Sequence, residues 1–546
     1  MSKIGTWEKG FIQAYFIIKS EHRLDTQSVN EVANFGRKYA VTPRDQAVYF
    51  VRSELLGTWI VVVDVWPMTG DTAVKFSKEC QQKLKHLVDA QVFGLFEKGN
   101  GVGYYARGDT TPSWMDASKV LSKRQDDGES GEPSGRKDKR SPVKADTRIK
   151  VTGAGVGDNM SKADIIPVRS ENVENLIISQ PPGVSIKEMN GLTYHERGAG
   201  SGVVVYVVDS GIDLSHKYFE AYRNQFMSDS SLNWLYSGPM PSDERNDDGR
   251  PFKGFGNSEP VRKILYTGTV TASKIVGEAG IAPYADIVAV KLHTGRNTMN
   301  WINDIDCFLK IFDHYKLLHA LDPYNELGFK GAVVVAGPGS NTDNLEGQSN
   351  KVREGSAEVL LREALYFLGR LNAHVFYSNV GKKENAFKFP RSQARRALGM
   401  PLGYLQEGDV ELAKMTKAAI IGIADSEDGT KAIDKELPHL VKLYAPGIAA
   451  APWLFDHYRG NPQKLPFINQ VTSRYVSALA GGVCAVLISR GWEDPLKRME
   501  TIAYKRSDSK DSPKVIWNGI NLSTWEKALK AYDVGKGGAS GSGGGK

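Results

Sequence analysis

The sequence predicts an α/β protein with a doubly wound, mostly parallel sheet covered by helices on both faces, preceded by a smaller α/β domain. Between residues 172 and 533, short apolar runs rich in β-branched residues alternate with helical stretches, which is typical of a parallel sheet buried on both faces. With 546 residues the chain is too long for one ordinary domain, and a hydrophobic content of 41% suffices for large cores.

The smaller domain is predicted over residues 1–108. Strand patterns at 11–19, 46–52, 58–65 and 101–107 are interrupted by helical patterns at 29–39 and 76–92. The resulting order, βαββαβ, is that of a ferredoxin-like unit.

A charged linker is predicted over residues 109–171, and a flexible Gly/Ser tail over residues 534–546. The linker has almost no aromatic residues after Trp114, so it buries too little surface to become ordered. From Ser118 to Lys150 it carries ten Lys/Arg and six Asp/Glu, which accounts for most of the net charge of +7. Because this charge does not lie on a folded face, we expect no nucleic-acid partner.

Cysteine usage and hydropathy indicate an intracellular protein. The three cysteines, Cys80, Cys307 and Cys484, are far apart and form neither a disulfide framework nor a metal pattern. The N-terminus has no secretory signal pattern, and no run approaches the ~20 apolar residues of a membrane span. We therefore expect a cytoplasmic monomer without membrane contact, cofactor or metal; secretion stays an alternative.

Five strands are predicted in the large domain, at 203–208, 287–292, 332–335, 374–377 and 418–423. Helices are predicted at 301–318, 357–371 and 473–489, and a long surface loop at 228–260. The first helix carries a stripe of aromatic residues at helical spacing, which we expect in the core. The stripe consists of Trp301, Phe308, Phe312 and Tyr315.

The first of these strands ends at Asp209, which is followed by Ser210 and Gly211. Its residues from Val203 to Val208 are all β-branched or aromatic, which predicts a fully buried strand. A carboxylate at the carboxyl end of such a strand lies where open α/β sheets place their sites. The alternative is a residue that caps the next turn, and this stretch alone leaves both open.

Two later stretches contain further candidates. After Tyr266, the small residues Thr267, Gly268 and Thr269 begin a predicted helix, which a glycine ends at Gly277. Farther on, Ser473 immediately precedes an apolar helix. A serine at this position is usually a helix cap, but the same position exposes a nucleophile to the positive end of the helix dipole.

Together these stretches resemble the motifs of the subtilisin-like serine proteases (subtilases), in particular their fungal, proteinase K-like branch. VYVVDSGID is similar to the aspartate motif, TGTVTASKIVG with GIAP to the histidine motif, and VTSRYVSALAGG to the serine motif. Shorter similarities are ISQPPG at 178–183, GPGS at 337–340, LYAPG at 443–447 and IWNG at 516–519. The resemblance covers about residues 172–525 and implies a subtilisin-like fold.

The resemblance implies a serine endopeptidase in which Asp209 and Ser473 occupy two of the three catalytic positions. It also implies substrate-cleft residues Gly337, Gly339 and Ser340, and an oxyanion-hole residue Asn379, with Asn341 or a plain turn asparagine as alternatives. For the N-terminal domain it implies a propeptide, which chaperones and inhibits the protease; an unrelated interaction domain is the alternative. Calcium sites, common in the family, are not readable from this sequence.

The important departure is Thr267, which stands where the family has its catalytic histidine. The base that accepts the serine proton must titrate near neutral pH, and a threonine hydroxyl does not. In subtilisin, loss of the histidine costs on the order of 10⁶ in kcat, which leaves about 10³–10⁴ over water from binding and the oxyanion hole. The sequence therefore predicts a pseudoprotease that still binds peptide.

Four histidines and one lysine are candidate replacements for the missing base. The alternatives are His216, His293, His439, His457 and Lys274, none of which stands at the motif position. Departures within the serine motif also favour lost catalysis, because they replace small residues or proline and are expected to crowd the scissile bond. These departures are Val471, Arg474, Tyr475 and Ser477.

Three functions thus stay open from the sequence. The first is the pseudoprotease with a peptide-binding cleft. The second is an active serine endopeptidase whose base comes from elsewhere in the chain. The third is an interaction protein that acts through its N-terminal domain. Each takes a peptide or protein as its partner.

Overall fold

The computed structural model describes four N-terminal strands, isolated helical positions between them, and most elements of the large domain. The residues described are 12–19, 27, 30, 31, 34, 48–53, 58–65, 82, 91–97, 165–169, 172–209, 211–213, 218–219, 234–237, 267–277, 280–292, 301–321, 328–336, 364–365, 367–378, 417–425, 428–432, 441–452, 467–471, 475–527 and 529–530.

The N-terminal strands form a four-stranded antiparallel sheet. They are β1 (Ile12–Lys19), β2 (Val48–Ser53), β3 (Thr58–Val65) and β4 (Gln91–Glu97). The strand order is β2-β3-β1-β4, and helical residues lie between β1 and β2 and between β3 and β4. This is the arrangement that a βαββαβ chain requires, with its first and third strands in the centre.

The fourth strand was partly mispredicted. The helix predicted at 76–92 is wrong at its last two residues, which begin β4. Phe93 and Phe96 give this segment a strand preference that overrides the apolar spacing before it. The strand predicted at 101–107 lies outside the described residues, and the domain boundary at 108 stays a prediction. Residues 165–169, predicted as the end of the disordered linker, instead form a strand that pairs with residues 192–196, so the linker prediction is wrong there.

The large domain contains thirteen described strands, of which nine form its central sheet. In chain order the strands are β5 (Ile165–Arg169), β6 (Leu192–Glu196), β7 (Val203–Asp209), β8 (Trp234–Ser237), β9 (Asp286–Leu292), β10 (Gly331–Ala336), β11 (Ala373–Ser378), β12 (Ala418–Ala424), β13 (Leu443–Pro446), β14 (Ile448–Pro452), β15 (Phe467–Val471), β16 (Tyr504–Lys505) and β17 (Lys514–Val515). The central sheet has the order β16-β17-β13-β12-β11-β10-β7-β9-β8. All of its pairs are parallel except β16 with β17.

Strand β7 lies where the winding of the sheet reverses. From β7 the chain reaches β8 at one edge and returns through β9, and then crosses to β10 on the opposite side of β7. Each of the seven residues of β7 is buried, as expected for a strand covered on both faces. The carboxyl end of β7 is thus the position where doubly wound sheets form crevices.

Helices with complete bounds in the large domain are α1 (Val173–Ser179), α2 (Thr267–Ser273), α3 (Trp301–Leu321), α4 (Val476–Ser489) and α5 (Pro495–Ile502), and further helical residues lie at 364–365, 367–370, 522–527 and 529–530. Helix α3 joins one core layer, in which Phe308, Phe312 and Tyr315 of the predicted stripe are buried. Helix α4 contributes to the opposite layer and packs on β10, β11 and β12. Every residue of α4 from Val476 to Ile488 is buried, which suits a helix that is apolar on all sides.

The predicted fold class is confirmed: the domain is α/β, with a mostly parallel sheet and helices on both faces, and a smaller sheet precedes it. The surface loop predicted at 228–260 is wrong at Trp234–Ser237, which pair with β9 as the edge strand β8. The opposite edge is the two-residue strand β16. Among the helices within the described ranges, none combines the length and the apolar character needed to cross a membrane.

Candidate functional site

The candidate site begins at the carboxyl end of β7, where the chain turns sharply after Asp209. Gly211 has a φ of +97°, in the region that favours glycine, so the turn depends on this residue. Asp209 follows Val207 by two residues, and its side chain therefore points to the face of the sheet that carries α2 and α4. Its side chain is buried, with an exposure of 1%.

Helix α2 lies directly against this turn. A Cβ atom on Gly268 would overlap the carbonyl oxygen of Gly211 and lie 3.1 Å from the Cβ of Asp209. One residue farther on, the Asp213 N–H donates to Thr269 Oγ1 over 3.0 Å. The first turn of α2 is thus fixed to the segment after β7 by a close backbone approach and a hydrogen bond.

The carboxylate of Asp209 receives a hydrogen bond from the same helix. Thr271 Oγ1 donates to Asp209 Oδ2 over 3.0 Å, and both side chains are buried. Residues four apart share a helix face, so Thr271 and position 267 lie on the same side of α2. The sequence motifs singled out Asp209 and Thr267 but missed Thr271, which is detectable only as a small polar residue one helical turn after Thr267.

A buried lysine is the next neighbour of Asp209 in the sheet. Lys291 of β9 is the register partner of Asp209, and it is 2% exposed. Paired residues of neighbouring strands project from the same face of the sheet. Asp209 and Lys291 are therefore neighbours on one face of the sheet, and the sequence motifs did not single out Lys291.

Lys274, weighed above as a substitute base, is engaged elsewhere. Its Nζ lies 2.8 Å from Oε1 of Glu174 in α1, and the side chains are 3% and 2% exposed. This buried ion pair connects the segment after α2 to α1. Because its ammonium is already paired with the Glu174 carboxylate, Lys274 is a weak candidate for the base.

The start of α4 is held to the end of β11. Ser378 Oγ donates to Ser477 Oγ over 2.8 Å, and the Ser477 N–H donates to Ser378 Oγ over 3.2 Å. Ser477 and Tyr475 are buried, so their side chains pack within the domain, and the expected crowding of the scissile bond stays a prediction. The sequence did not indicate the burial of these two side chains, because which residues of a first helical turn face the core depends on how the helix packs.

Several predicted site residues lie outside the described part of the structure. They are Ser473, Asn379, Asn341, Gly337, Gly339, Ser340 and Arg474, together with the alternative bases His216, His293, His439 and His457. Their chain neighbours are described: β10 ends at Ala336, β11 ends at Ser378, and β15 ends at Val471. In the described ranges, no three His, Cys, Asp or Glu side chains converge as metal ligands.

Two histidines with strongly shifted pKa values lie at a distance from the β7 turn. Burial lowers the pKa of His374, near the start of β11, to about 3, and the nearby Lys417 ammonium contributes to the shift. Burial also lowers the pKa of His195 in β6 to about 4. Both imidazoles are therefore neutral at pH 7.

Gly268→Ala is expected to destabilise the large domain by about 1–3 kcal/mol, because the added methyl group has no room between α2 and the β7 turn. The free energy of unfolding in urea measures the effect. An unchanged midpoint would show that α2 does not approach the turn as closely as the structure places it.

Comparison with known proteins found similarity to solved structures, but none to protein-family models or curated sequences. No protein-family model matches the chain. No curated protein is similar to it in sequence. Among solved structures, it is similar to a cold-adapted subtilisin-like serine proteinase, with 13% identity and a TM-score of 0.37, over 60% of this chain and 92% of that chain.

Proposed function

We propose that this chain is a subtilisin-like serine endopeptidase relative that has lost peptide-bond hydrolysis and retains a peptide-binding cleft. In this proposal Asp209 and Ser473 occupy the positions of the catalytic acid and nucleophile. The base is absent because Thr267 stands in its place.

The observation that supports the proposal most is the position of Thr267. It is the first residue of α2, and the next residue, Gly268, packs directly on Asp209 and Gly211. A histidine at this position would start from backbone beside the carboxylate that orients it, as the serine protease mechanism requires. Threonine offers an alcohol in its place, which takes up no proton near neutral pH.

Peptide binding does not depend on the missing base. Residual binding and oxyanion stabilisation survive the loss of triad residues in serine proteases. The expected ligand is therefore an extended peptide or a protein segment, held beside the ends of β10 and β11. The residues proposed to hold it are Gly337, Gly339, Ser340 and Asn379.

A fluorophosphonate probe, which reacts only with an activated serine, tests the proposal. We expect the native chain to label no faster than the Ser473→Ala background, and Thr267→His to label at least about tenfold faster than that background, because the imidazole restores proton transfer from Ser473. The control is Thr267→His combined with Ser473→Ala, which must not label. Labelling of the native chain that disappears in Ser473→Ala would contradict the proposal.

One observation favours the second candidate, an active endopeptidase with a different base. Lys291 is buried beside Asp209, and buried lysines serve as general bases in some enzymes. If the native chain labels and Lys291→Met abolishes the labelling without unfolding the protein, this second function replaces the first.

A further inference from the structure

This inference rests on the proposed function, in which the site lacks the base that Asp209 would orient. Asp209 is nevertheless a buried carboxylate, and its burial needs a physical explanation. Removing a carboxylate from water is costly unless its charged form receives hydrogen bonds. Here Thr271 provides one over 3.0 Å, from a side chain that is itself 1% exposed. We propose that Asp209 is a structural carboxylate, which Thr271 holds in order to tie the end of β7 to α2.

The geometry of α2 suits this role. Thr271 lies one helical turn after position 267, on the same helix face. Its hydroxyl therefore reaches the carboxylate from the side on which a catalytic base would stand. Both side chains are buried, so water does not compete for this hydrogen bond, and a hydrogen bond is stronger in the low-dielectric interior than at the surface.

The tie is the last of three successive contacts between α2 and the β7 turn. Gly268 packs on Gly211, Thr269 accepts from the Asp213 N–H, and Thr271 donates to Asp209. Two of these contacts involve backbone atoms of the turn, and only the third uses a charged side chain. The proposed role of Asp209 in the packing of α2 is therefore independent of whether the site is catalytic.

Two substitutions at position 271 separate the hydrogen bond from packing. Thr271→Val keeps the shape and removes the hydroxyl, and it is expected to raise the unfolding equilibrium constant of the full chain in urea about 10- to 100-fold. Thr271→Ser keeps the hydroxyl and removes one methyl group, with an expected increase below about tenfold. If Thr271→Val is the milder change, Thr271 acts through packing alone and the proposal is wrong.

A double-mutant cycle with Asp209→Ala then identifies the acceptor. In the Asp209→Ala chain, the effect of Thr271→Val should shrink at least about tenfold, because the bond is already lost. The matched control is Thr269→Val. The Thr269 hydroxyl, on the same helix as Thr271, accepts from the Asp213 N–H, so its removal should have equal effects with and without Asp209→Ala. If Thr271→Val changes the unfolding equilibrium constant equally in the native and Asp209→Ala chains, the proposed bond between Thr271 and Asp209 does not stabilise the protein and the proposal is wrong.

The two proposals fail in different measurements. Fluorophosphonate labelling of the native chain would overturn the loss of catalysis and leave the coupling between Thr271 and Asp209 intact. Additive effects in the cycle would overturn the structural role of Asp209 and leave the absence of labelling intact. If Asp209→Ala does not fold, the order of Thr271→Val and Thr271→Ser in the otherwise native chain still decides.

Discussion

Glu174→Gln is expected to lower the free energy of unfolding of the large domain by about 3–5 kcal/mol. The substitution leaves the Lys274 ammonium, 3% exposed, without the carboxylate that lies 2.8 Å from it. Breaking a buried ion pair from one side is strongly destabilising, because the remaining charge is neither hydrated nor neutralised. Urea unfolding of the native and variant chains at pH 7 measures the difference.

Two further variants test whether the buried charge causes this loss. Adding Lys274→Met to Glu174→Gln removes the second charge, and the double variant should regain about 2 kcal/mol or more relative to Glu174→Gln alone. The matched control is Glu500→Gln, whose partner Lys442 and own side chain are 69% and 42% exposed, and it should cost no more than about 1 kcal/mol. A Glu174→Gln chain as stable as the control would contradict the assignment.

The ion pair also bears on the candidate site. Lys274 follows α2 immediately, and Glu174 lies in the first turn of α1. Loss of the pair should therefore loosen the helix that carries Thr267 and Thr271. We expect Glu174→Gln to slow fluorophosphonate labelling in the Thr267→His chain even under conditions where the protein stays folded.

His374→Leu is expected to remove a large part of the acid sensitivity of the protein. His374 is fully buried, and neither of its ring nitrogens has a hydrogen-bond partner among the described residues. Burial, with the nearby Lys417 ammonium, lowers the pKa of His374 from 6.5 to about 3. Between these two values the unfolded chain binds a proton that the folded chain does not.

The sign of the effect follows from this difference in proton uptake. Stability is complete above pH 6.5 and falls as the pH drops towards the folded pKa of about 3. From pH 7 to pH 4, His374 alone should cost the native chain about 3 kcal/mol. His374→Leu lacks this contribution and should cost little at pH 7, since an apolar side chain of similar volume replaces an imidazole without hydrogen bonds.

Urea unfolding at several pH values between 4 and 7 tests the prediction. His195, whose pKa burial lowers to about 4, is present in both chains, so its contribution cancels when the native and His374→Leu curves are subtracted. Parallel curves for the two chains would show that His374 gains protons equally in the folded and unfolded states, contrary to the expectation.

The sequence predicted the central strands well because they are continuous apolar runs bounded by turn residues. The strand predicted at 203–208 differs from β7 by one residue, and that predicted at 287–292 differs from β9 by one. Strand β8 was missed because its four residues, Trp-Leu-Tyr-Ser, are too short to show a period. Only its pairing with β9 makes it a strand.

The candidate site was predictable where it depends on local sequence. The motif around Asp209 placed a carboxylate at the end of a buried strand, and the structure has it there. The bond from Thr271 to Asp209 and the pair of Lys274 with Glu174 join residues 62 and 100 positions apart. Such pairs are fixed by how the helices dock on the sheet, which no local pattern encodes.

The two edge strands of the central sheet have a consequence for association between chains. Strand β16 contains two residues and β8 contains four, so little unpaired backbone is presented at either rim. Without residues 504–515, the rim would instead be β13, whose backbone is now covered by β17. Residues 504–515 therefore leave a two-residue strand at this rim, and short edge strands disfavour strand pairing with another chain.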